Sequence, residues 1–189
     1  MRITGGTGNG YAAKVSDENR LYVHAISASA EHHANHAEGK AFNAICAVNP
    51  DGANDVIFYL KNTGEEDIVI EGVWWQTSAA EEVYYRLGDT GTAVATSGAA
   101  ITPANLNAGS GEVADVTCYS NTGDGAVDIT GLTAGVEIQR LWLSDAKSVW
   151  FNAEQDIIVP KNKAFSILAV GGDTLLRFTV PFHVHNAEA

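Results

Sequence analysis

Only two cysteines occur in 189 residues, Cys46 and Cys118, far apart and in no CxxC pair. That excludes a zinc knuckle and a dense disulfide framework, and two buried free thiols are expected. No apolar run near the start suits a signal peptide, and no stretch is long enough to cross a bilayer, so a soluble protein made in a cytoplasm is expected. Basic residues are scarce, 11 against 23 acidic ones, for a formal charge of −12. Such a balance repels phosphate backbones and anionic membranes, so neither nucleic acid nor membrane is an expected partner. The first forty residues are neutral, with Arg2, Lys14, Arg20 and Lys40 against Asp17, Glu18, Glu31 and Glu38. The acidic excess therefore lies in the body, which reads as an acidic globule carrying a differently composed arm. At 46% hydrophobic the chain can bury a substantial single core.

Helix signals are also scarce. The opening GGTGNG, with glycines at 5, 6, 8 and 10, would cradle a phosphate only if a helix came after it. The next residues instead have period two: Tyr11, Ala13 and Val15 on one side, a polar turn at 16–19, then Leu21, Val23 and Ala25. No GxxxxGK occurs, and Gly10 stands where a calcium-binding glycine-rich repeat needs its aspartate. The glycines read as a hinge in an extended arm. Its exposed strand pattern suits addition to a neighbour's sheet edge, with Gly5, Gly6, Tyr11, Lys14, Leu21 and Val23 as the expected partner-binding residues.

Strand signals fill the rest. Residues 56–60 run through Asn62-Thr63-Gly64 into 67–75 and read as a hairpin. Residues 82–87, 136–143, 149–151, 156–159 and 165–170 are further strands, and 88–111 reads as an elaborate loop with one short strand. In 174–185, Leu176, Phe178, Val180, Phe182 and Val184 alternate with Leu175, Arg177, Thr179, Pro181, His183 and His185, describing a long strand with one buried face. Pro181 places it at a sheet edge or marks a bulge. The expected fold is all-β, an antiparallel sandwich of jelly-roll type. Residues 1–42 would form the arm and a crossing segment, with AEHHANHAEGKAF at 30–42 suited to a short helix, and 43–189 the sandwich.

Five of the six histidines fall in two clusters. His32 and His36 would share a helix face, and His183 and His185 would share the outer face of the last strand, roughly 6.6 Å apart at Cα. Both spacings suit zinc or nickel, so these four are the candidate metal ligands, although polar histidines on a solvated or inter-subunit face have the same spacing. Position 33 is histidine where HExxH needs glutamate, and there is no GxSxG elbow and no kinase or lactamase signature. No enzyme and no cofactor is expected. Carboxylates in the DGAND and GDGAVD loops lack the spacing of a calcium loop. Adjacent Trp74 and Trp75 must point to opposite faces, so one lies outside the core. That opens a carbohydrate-binding alternative, with Trp75 taken as the stacking residue, beside the commoner one of an interface.

The segments ITGGTGNGYAAKVSDENRL, VHAIS, EHHANHAEGKAFN, GANDVIFYLKNTGEEDIVIEGV and DIIVPKNKAFSIL, taken in order, resemble a group of tailed-bacteriophage virion proteins of about this length. The likeness spans most of the chain and is weakest from Thr90 to Gly131. It implies a non-enzymatic building block of the particle, assembled in the host cytoplasm: a capsid decoration (cement) subunit, or a neck, collar or tail accessory. The implied partners are the major capsid protein or other virion proteins, together with further copies of the chain in a homotrimer.

Overall fold

The structure, a computed structural model, describes residues 34–50, 55–89, 94–95, 98–120, 129–130, 135–144, 147–171 and 174–185. The expected partner-binding residues of the arm and His32 lie outside these. Among the described residues, thirteen strands come after a single π-helical turn at Ala34–Glu38. They are β1 (Ala41–Val48), β2 (Asp55–Asn62), β3 (Asp67–Thr77), β4 (Glu81–Asp89), β5 (Val94–Ala95), β6 (Ala99–Ala100) and β7 (Ala104–Asn105). The others are β8 (Val116–Ser120), β9 (Ile129–Thr130), β10 (Val136–Leu143), β11 (Ser148–Val159), β12 (Lys163–Ala169) and β13 (Leu176–His185). Two antiparallel sheets form the sandwich, ordered β11-β3-β13-β1-β7 and β10-β4-β12-β2-β8-β6, and β5 pairs with β9 apart from them. The long strands pair in a nest: β1 with β13, β2 with β12, β3 with β11, β4 with β10.

Residues 56–75 do not form a hairpin. β2 and β3 belong to opposite sheets, so the turn between them is an arch over the end of the sandwich. Asn62 builds it. Buried to 1% exposure, its Nδ2 donates to the carbonyls of Glu66 (2.7 Å) and Val159 (2.9 Å), and its Oδ1 accepts from the Gly64 N–H (2.9 Å). The β11–β12 connection is a second arch beside it, tied on by the Asn162 N–H donating to the Asn62 carbonyl. A short polar turn suits hairpin and arch equally, and the choice falls to long-range pairing.

The core lies between the sheets. Trp75, Phe178, Phe58, Phe165 and Tyr85 close a ring of aromatic contacts with centroids 4.8–6.4 Å apart, two residues from one sheet and three from the other. Such pairs add about 0.5–1.5 kcal/mol each beyond the area they bury. Trp75 Nε1 donates to Tyr85 Oη at 2.7 Å, satisfying two groups that burial would otherwise strand. Cys46 and Cys118 face into the same core as free thiols. Burial pushes the Cys46 thiol up to about 12 and raises that of Cys118 as well.

β13 sits in the middle of its sheet, and Pro181 is tolerated because the β13·β3 register shifts between Thr179 and Phe182. The bulge, of the two sequence options, is the one found. Residues 34–40 fold back on their own body: the Gly39 carbonyl accepts from Asn105 Nδ2 at 2.7 Å, the Asn35 carbonyl from Asn107 Nδ2 at 3.0 Å, and Lys40 Nζ pairs with Glu66. Gly39 has φ of +66°, and a Cβ there would meet Ser110 Oγ at 2.2 Å, so only glycine fits. The sandwich proper begins at Ala41, two residues before the expected boundary.

Candidate functional site

Directly paired residues share a face of a sheet. One row therefore crosses the outer side of the five-stranded sheet through Trp150, Trp74, Thr179 and Ile45, and the next through Ser148, Gln76, Arg177 and Ala47. Trp75 points into the core at 2% exposure while Trp74 is 53% exposed. The alternation was legible in sequence, but the outward residue is Trp74 and not Trp75. Trp150 joins it, the two rings 4.8 Å apart. Gly72 makes this possible, because a Cβ there would lie 2.8 Å from the Trp150 ring and 2.1 Å from the Phe151 carbonyl. Between Trp74 and Ile45 the small Thr179 leaves a trough of about 420 Å³, with Gln76, Ser148 and Arg177 at one end.

The two lateral flanks of the sandwich differ. One ends in the two-residue strands β6 and β7. The other is formed by β10 and β11, 8 and 12 residues long, which have no further strand partner among the described residues. On them Val136 (73% exposed), Trp142 (71%), Ile158, Ile138 and Val149 face solvent. Both strands lose register, between Glu137 and Gln139 and between Asn152 and Ile157, and a recess of about 550 Å³ opens between them there. Arg140 lies over the Tyr84 ring at 4.0 Å and pairs with Glu82 and Glu137, and its hydrogen bond holds the Glu137 carboxyl below its ordinary value. Sequence named the strands but not their place in the sheets, so this flank was invisible to it.

Of the four candidate metal ligands, His32 lies outside the described residues, so its pairing with His36 is not described. His183 is 3% exposed, its Nδ1 3.1 Å from Glu71 Oε1, whereas His185 is exposed. These two residues of β13 therefore do not share a solvated face, and the turn at Ala34–Glu38 packs against the same strand. His36 is exposed on that turn. Among the described residues no three His, Cys, Asp or Glu side chains gather to hold a metal, and no helix is long and apolar enough to cross a membrane. A third recess, of about 290 Å³, lies beside Lys40 and carries Glu65, Glu66, Glu112 and Asp115, with Lys40 paired to Glu66. No family model matches the chain, and no curated protein matches it.

Proposed function

We propose that the chain is a non-enzymatic structural subunit of a tailed-phage virion, a capsid decoration protein that works in a homotrimer and grips neighbouring virion proteins. The nested strand pairing supports a jelly-roll reading, a frame suited to a compact block. The observation that carries the reading is the β10–β11 flank. Long unpaired edges bearing exposed valine, isoleucine and tryptophan invite association, and soluble proteins blunt or cover them. Among the described residues one flank is blunted by two-residue strands and the other is left open, which fits a surface made to be covered in an assembly. Strand addition by the arm, with its period-two pattern, would supply the missing ladder.

Immunogold labelling of purified virions with antibody to this chain tests the reading. Regular label on intact particles is expected. A full-length Val136→Lys, Trp142→Lys variant that keeps its far-ultraviolet dichroism should fail to incorporate. Absence of label from both intact and disrupted particles would refute the proposal.

A further inference from the structure

We infer that the trough on the outer face of the five-stranded sheet is a binding site for a pyranose glycan bearing a carboxylate. This face alone supports the site, independently of the virion reading. Trp74 offers a half-open indole face, held in place by Trp150, whose ring lies tilted by 34° against it over Gly72. A rigid aromatic wall beside a shallow polar floor is the arrangement on which the C–H face of a pyranose ring packs. Thr179 on the floor and Gln76 and Ser148 at the end supply neutral donors and acceptors.

Charge selects among sugars. The chain carries −12, and Lys40, Arg140 and Lys161 are each paired with a carboxylate. Arg177 has no ion pair among the described residues and is the one charged residue among those that line the trough. Its planar fork matches a carboxylate with two parallel hydrogen bonds. A uronic acid and a sialic acid share that chemistry, and both place the carboxylate on the ring that would stack.

Calorimetric titration of the full chain with sialyllactose, a glucuronate-terminated disaccharide and lactose tests the site. At least one carboxylated sugar should bind about tenfold more tightly than lactose, and which of the two does so identifies the source. Trp74→Ala should abolish binding of all three, and Arg177→Gln should erase the preference for the acid while lactose binding is kept. Both positions are exposed, and circular dichroism checks that the variants fold. No heat with either acidic sugar at about 10 mM, where even millimolar affinity registers, would overturn the inference. So would a concentration-dependent dimer lost in Trp74→Ala, which would assign this face to a second copy.

Discussion

Asn62→Ala should be among the most damaging single substitutions in the arches. The side chain makes three hydrogen bonds, and their environments differ. The Val159 carbonyl bond is buried, so its loss strands an acceptor at a cost of about 1–3 kcal/mol. The Glu66 carbonyl is part-buried and can recruit water, and the Gly64 N–H keeps a second acceptor in the Asp115 carbonyl at 3.1 Å. These two lose about 0.5–1 kcal/mol each. The total is about 3 kcal/mol, which for a chain of this size lowers the melting temperature by about 6–12 °C. Urea unfolding followed by tryptophan fluorescence, with Trp75 reporting from the core, measures it directly. Asn62→Asp is the control, since it keeps the acceptor for Gly64 but turns a carboxylate toward two carbonyls, and it should cost at least as much. A shift under about 2 °C for Asn62→Ala, or a neutral Asn62→Asp, would show that the arch is held by something else.

Tyr85→Phe leaves the Trp75 indole N–H without its acceptor and should cost about 1–3 kcal/mol in the same unfolding assay. Gly39→Ala should destabilise by more than about 2 kcal/mol through both its positive φ and the clash with Ser110, and adding Ser110→Gly should recover the clash alone, a coupling that a double-mutant cycle reads. The Cys46 thiol ionises near 12 when folded and near its ordinary value of 9.0 when unfolded. Its contribution is therefore complete below pH 9 and is lost as pH rises through 12. At about pH 10.5 the wild type should have lost roughly 2 kcal/mol that Cys46→Ala does not lose, by urea unfolding at the two pH values. Rapid labelling of either native thiol with iodoacetamide at about pH 8 would contradict the buried, neutral state of both.

Residues whose signal is local were readable in advance. Val136–Leu143 was delimited by its own composition, and β13 by strict alternation. The opposite faces of Trp74 and Trp75 follow from pleat geometry, though which one faces inward depends on β3 lying between β11 and β13. β11 read as two strands because 152–155 interrupt the apolar pattern, where the structure has one strand with a break in register. β1 and β8 were missed, since alanine, serine and threonine carry little strand signal without knowledge of what packs on them. The contrast between flanks is a product of strand order, which no window along the chain contains. The Trp74–Trp150 platform needed the pairing of residues 76 positions apart.

β13 stands between β1 and β3, yet a ribosome makes it after every other strand described. Until that strand has left the exit tunnel, the five-stranded sheet has a slot in its middle, and two strand edges that are paired in the native sheet stand open to solvent. Folding of this sheet cannot proceed strand by strand during synthesis and must wait for β13 to emerge. Stalled or truncated products would therefore be sticky species dependent on chaperones, and a short peptide with the sequence of β13, supplied in trans, is a direct competitor for the slot.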